Sequence, residues 1–158
     1  MATKSLPKHF PSSRENCMPG QLCFAVGLPR SGKSTFCQKW VDERPEGARY
    51  RVIVSGDAFR TALHGMAYIP QAEGQVFAAM DTAIRALLLT GFDVIVDETS
   101  TTPSTVLRYL RIDINATPIF IDTDVSLCVA RAKATGKEFL IEPIKRMEVQ
   151  RQKLLADW

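Results

Sequence analysis

Four runs of apolar residues punctuate the chain: QLCFAVG (21–27), RVIVSGD (51–57), DVIVDE (93–98) and ATPIFIDT (116–123). Each is nearly continuous and does not alternate with polar residues, as in strands covered on both faces. Between them the period changes to that of a helix. SGKSTFCQKWVDERP predicts a helix that must stop before Pro45. AFRTALHG predicts a short one closed by Gly65. Over 74–90, Val76, Phe77, Met80, Ile84, Leu87 and Leu88 share one helical face. PSTVLRYLR carries Pro103 in its first turn. Asp124 caps VSLCVARAKA, which reaches Gly136, and 142–156 form a closing helix charged on one side. Strand–helix alternation of this kind predicts an α/β fold, with a small parallel sheet of four or five strands flanked by helices on both faces. The fifth strand has two candidate places, the tail and 138–141. Residues 1–20, rich in Pro, Ser and charge, predict a flexible tail, and 21–158 one domain.

Composition narrows the classes. The chain has 158 residues, 46% of them hydrophobic, enough for one compact core. A net charge of +3 permits an anionic partner without requiring one. No apolar stretch reaches the length of a membrane span, and the N-terminus lacks the apolar core of a secretory leader. The four cysteines (Cys17, Cys23, Cys37 and Cys128) form no C-x-x-C pair, and reduced thiols in a cytoplasmic protein are expected.

Gly27-Leu28-Pro29-Arg30-Ser31-Gly32-Lys33-Ser34 fits G-x-x-x-x-G-K-[ST], after a strand and opening a helix, where that motif has to lie. The glycines allow backbone N–H groups to converge on phosphate, and the helix N-terminus adds partial positive charge. Gly27, Pro29, Ser31, Gly32, Lys33, Ser34 and Thr35 are therefore the expected nucleotide-binding residues. Lys33 supplies full charge, Ser34 a hydroxyl for Mg²⁺, and Thr35 a bond to an inner phosphate. The sequence has no N/T-K-x-D element, which a GTP switch would carry for guanine.

Three further segments fall near the carboxyl edge of the expected sheet, the edge at which open α/β proteins bind ligands. In SGDAFR, Asp57 and Arg60 are three residues apart, on one face of a starting helix. Asp57 suits a general base for an attacking hydroxyl, and Arg60 a bidentate grip on a substrate anion. The plainer alternative makes Asp57 a helix cap. In DVIVDETS, Asp97 is placed to hold Mg²⁺ with Ser34. Glu98 beside it offers a rival, a water-activating glutamate of a P-loop ATPase. In RAKATGK, Arg131, Lys133 and Lys137 form a basic cluster able to close as a short lid over a transferring phosphoryl group, with Arg131 the catalytic candidate. A solvated basic helix end is the simpler alternative. FIDTDVS imitates an aspartyl-phosphate motif, but Asp124 reads as a cap; His64 reads as a helix-end residue.

GLPRSGKST, SGDAFR, GFDVIVDET and RAKATGK, taken together over about residues 22–155, resemble the polynucleotide 5′-kinase group of P-loop kinases and its small-molecule kinase relatives. The resemblance implies a P-loop fold with a lid. It also implies ATP and Mg²⁺ as cofactors, Asp57 as general base, and Arg60 on a phosphate of the acceptor. That group's lid usually offers two arginines; this chain has Arg131 and shows Thr135 near where the second would fall. A short single-domain kinase of this kind resembles phage enzymes. The expected activity is ATP-dependent transfer of the γ-phosphate to a hydroxyl, first to a 5′-hydroxyl of DNA or RNA. A hydroxymethylated base in DNA, a nucleoside or another small alcohol is the next acceptor. A nucleic acid or nucleotide-like acceptor is thus the expected partner, with no membrane.

Overall fold

The computed structural model describes residues 19–157. Four strands, β1 (Leu22–Val26), β2 (Arg51–Ser55), β3 (Asp93–Asp97) and β4 (Thr117–Phe120), form one parallel sheet in the order β2-β3-β1-β4. The helices are α1 (Lys33–Asp42), α2 (Gly56–His64), α3 (Glu73–Leu89), α4 (Pro103–Ile112), α5 (Val125–Ala134) and α6 (Ile141–Asp157).

The apolar runs have the predicted cause. On β1, Leu22, Phe24 and Val26 join Val54, Val94 and Val96 on one face, under Val76, Met80 and Ile84 of α3 and Tyr109 of α4. Cys23 and Ala25 point the other way, with Ile53 and Ile95, under Phe36, Cys37 and Trp40 of α1. Both faces are thus filled, which leaves no polar alternation along the strands. A third cluster, Leu28, Cys128, Ala132 and Ile144, packs α5 and α6 beneath the loop after β1. Buried Arg151 ties α6 to the segment following β4, donating to Asp122 at 2.8 Å. Among the described residues β4 has a single hydrogen-bonded neighbour, β1, an edge position that tolerates Pro118.

Two boundaries differ from expectation. Residues 138–141 hold no fifth strand: Glu138–Leu140 is a 3-10 turn that runs into α6. The other candidate place, the tail, lies outside the described residues, as does Cys17. The second strand stops at Ser55, two residues before the expected end, because the Ser55 side chain caps the next helix, accepting a long 3.5 Å bond from the Ala58 N–H. Asp57 and Arg60 consequently both ride on α2. Asp124 does cap α5, accepting from the Ser126 N–H at 2.7 Å, and His64 closes α2 ahead of Gly65. Among the described residues no helix is long and apolar enough to cross a membrane.

Candidate active site

At the carboxyl edge of β1 the chain turns into α1 through the glycine-rich loop. Gly32 has φ 100°, a left-handed conformation that a glycine adopts without strain. Gly27 serves a different need. A Cβ there would lie 2.9 Å from Ser31 Oγ and 3.1 Å from the Ile121 carbonyl oxygen, so a side chain would push the loop off the sheet. Lys33 is buried, and its Nζ donates to the Leu28 carbonyl at 2.6 Å, folding the ammonium back across the loop. Burial lowers its pKa, against the pull of the nearby Asp97 carboxylate.

A cavity of about 590 Å³ opens over this loop. It brings together Pro29, Gly32, Lys33, Ser34 and Thr35 from the loop and α1, Asp57 and Arg60 from α2, Asp97 and Glu98 from the end of β3, and Arg131 from α5. Four segments separated along the chain therefore present their candidate residues to one volume. Gly27 and Ser31 are expected site residues that do not line it. They lie behind the loop, where Ser31 is buried and its carbonyl accepts from Thr123 Oγ1 at 2.8 Å, so they shape the loop from beneath. Lys133 is not on the cavity either, whereas Arg131 and Lys137 are. Two residues along a helix is a rotation of about 200°, which turns Lys133 away from the Arg131 face.

The α2 side is a carboxylate–guanidinium network. Asp57 is not the helix cap, a place taken by Ser55; its side chain is 90% exposed and accepts from Arg60 Nη1 at 2.9 Å. Arg60 is itself held from behind. Its Nε and Nη2 donate to the two carboxylate oxygens of Glu73 at 2.8 and 2.7 Å, a bidentate pair joining α2 to the start of α3. Glu98 Oε1 stands 3.9 Å from Arg60 Nη2. The other oxygen of Glu98 accepts from the Tyr109 hydroxyl at 2.5 Å and lies 3.5 Å from Arg108 Nη1. Burial raises the Glu98 pKa, opposed by the Tyr109 hydrogen bond and by Arg108 and Arg60. Gly56 makes this convergence possible: a Cβ there would lie 2.7 Å from Glu98 Oε1 and 3.1 Å from Arg60 Nη1. Gly56→Ala is therefore expected to destabilise the protein by about 1–3 kcal/mol through overpacking, read as a lower Tm in thermal unfolding.

These elements resolve into a known architecture. Residues 22–154 match a family model described as an AAA domain. The chain belongs to that family. Its sheet, phosphate loop and flanking helices form a P-loop NTPase-like α/β fold. No curated protein matches this AAA domain in sequence. Among solved structures, the Pnkp1/Rnl/Hen1 RNA repair complex contains a chain similar to it, at TM-score 0.75 and 22% identity. That match covers 92% of this AAA domain but 48% of the other chain, so the sequence spans about half of that relative's length. The APS kinase CysC of Mycobacterium tuberculosis, in complex with AMPPNP and APS, is similar at TM-score 0.58 and 19% identity, over 72% of this chain and 69% of that one. A gluconokinase from Sinorhizobium meliloti 1021 is similar at TM-score 0.57 and 17% identity, over 84% and 76%. At these identities the likeness establishes the fold.

Four residues of this AAA domain's site escaped the sequence reading: Arg30, Glu73, Arg108 and Tyr109. Glu73 carried a weak signal as an acid in the first turn of a helix, where the dipole alone accounts for it. Arg108 and Tyr109 read as ordinary helix residues, since nothing local reveals that α4 delivers them to Glu98.

Proposed function

We propose that this AAA domain is an ATP- and Mg²⁺-dependent phosphotransferase acting on a hydroxyl acceptor. The observation that carries the reading is the shared cavity: the phosphate loop with Lys33 on one wall, and the exposed Asp57 carboxylate on α2 on the other. The loop residues would hold the phosphates of ATP, with Asp57 across the cavity from them. Ser34 and Asp97 are the residues that would hold Mg²⁺; both line the cavity, one a hydroxyl and one a carboxylate, a donor set that suits this hard cation. The metal supplies charge neutralisation at the phosphates. Asp57 accepts the acceptor's hydroxyl proton as the oxygen bonds to the γ-phosphorus, and the bond to the bridging oxygen of ADP breaks. Lys33 and Arg131 carry the charge that spreads over the equatorial oxygens.

The acceptor we favour is a 5′-hydroxyl of DNA or RNA. The D-x-x-R spacing of Asp57 and Arg60 supports this, as does the similarity to a chain of an RNA repair complex. Arg60 is fixed by Glu73 along its Nε–Nη2 edge, which leaves Nη1 toward Asp57 and the cavity. A phosphate next to the reacting sugar would be read at Nη1. The exposed Tyr68 ring, 5.9 Å from the Arg60 guanidinium, adds a flat face beside it.

Glu98 has little freedom to activate water, since Tyr109, Arg108 and Arg60 surround both its oxygens. Glu98→Gln is therefore expected to keep phosphorylation of an acceptor within about tenfold of the parent, the loss coming from a loosened Arg60. Measured with γ-labelled ATP and matched acceptors (a 5′-hydroxyl oligonucleotide, modified-base DNA and a nucleoside), the oligonucleotide should show the highest kcat/KM. Complete loss of turnover in Glu98→Gln, with Asp57→Asn still active, would favour the ATPase instead. A higher kcat/KM for the nucleoside would overturn the acceptor assignment.

A further inference from the structure

We propose that Arg30, inside the phosphate loop, is a further catalytic cation that binds the terminal phosphates of the nucleotide. The proposal rests on the phosphotransfer reading for its catalytic part. Three observations converge on it. First, Arg30 has φ 66°, a left-handed conformation that disfavours any residue with a Cβ. A glycine would fit there at no cost, and arginine gains nothing from the backbone it adopts. Second, its guanidinium meets no carboxylate among the described residues. Arg60, Arg108 and Arg151 are each paired with acids. Arg30 instead donates Nη2 to the neutral Thr135 hydroxyl at 3.1 Å, while its Nε is buried with no hydrogen-bond partner. Third, the cavity that Arg30 lines carries further cations besides the acids Asp57, Asp97 and Glu98. Arg131 Nη1 donates to the Arg30 carbonyl at 3.1 Å, and Lys33 and Lys137 line the same volume.

A partly buried guanidinium with an unfilled donor and no carboxylate paired to it calls for an anion. Thr135 sits at the end of α5. Arg30 therefore stands beside Arg131 where the loop meets the end of α5. It breaks and forms no bond; it stabilises the negative charge on the β- and γ-phosphate oxygens as the phosphoryl group moves. The Thr135 bond holds the side chain in readiness until phosphate takes its place.

Arg30→Gly separates this role from a structural one, because glycine accepts the same φ. Calorimetric titration with Mg²⁺–AMPPNP and Mg²⁺–ADP should show affinity for AMPPNP falling about tenfold or more, with ADP falling less. The Tm should stay level or rise as strain is relieved, and kcat for transfer should drop about 10²-fold. Arg30→Lys, which keeps the charge and loses the planar fork, should fall between the two. Equal changes for both nucleotides, or an unchanged AMPPNP affinity, would overturn the proposal. Should the parent protein transfer phosphate to no hydroxyl, while Arg30→Gly still selectively loses AMPPNP, the phosphotransfer reading would fall and Arg30's contact with the terminal phosphate would stand.

Discussion

Lys33→Ala is expected to abolish phosphoryl transfer and leave the fold standing. The side chain is buried, yet its ammonium contributes nothing to the apolar core. Its charge is carried at a cost, since burial lowers its pKa. Its hydrogen-bond acceptor, the Leu28 carbonyl, also accepts from the Ser31 N–H at 3.1 Å and is not orphaned by the change. Removing a preorganised cation from the transferring phosphate costs roughly 10²-fold in rate or more. Steady-state kcat and a thermal melt check both halves: activity at background, with a Tm within a few degrees of the parent. A variant of full activity would remove the phosphate loop from the mechanism.

Asp57→Asn is expected to lower kcat by about 10²–10³-fold while ATP affinity holds. The carboxylate is 90% exposed, so its replacement touches no packing. The amide keeps the shape, and its oxygen still accepts from Arg60 Nη1, so the α2–α3 network with Glu73 survives. What is lost is the capacity to take the acceptor's proton. Nucleotide titration beside kcat distinguishes this from a metal-binding role: parallel losses in ATP affinity and turnover would place Asp57 on Mg²⁺ instead.

The parts legible in the sequence are those written locally. The continuous apolar runs announce strands buried on two faces, and Leu22, Phe24 and Val26 against Cys23 and Ala25 show why. The loop motif announces its own geometry, because Gly27 and Gly32 answer to short-range sterics. Illegible were the pairings made across elements. The Arg60–Glu73 bond joins residues on two helices, and Tyr109 reaches Glu98 from a third. Neither pairing leaves a periodic trace. Arg60, expected to grip a substrate anion, has its Nε–Nη2 edge on Glu73. The end of β2 is hidden for a related reason: in SGD, a serine that caps a helix and a serine that ends a strand look alike until Ser55 meets Ala58.

The central claim is that phosphate leaves ATP for a hydroxyl and not for water. The direct measurement is the fate of label from γ-labelled ATP, incubated with Mg²⁺, the protein and a 5′-hydroxyl oligonucleotide, then resolved into oligonucleotide and inorganic phosphate. The account predicts label on the oligonucleotide, stoichiometric with the ADP formed and lost in Asp57→Asn. Label recovered wholly as inorganic phosphate, at a rate indifferent to oligonucleotide, nucleoside or modified-base DNA, would contradict it.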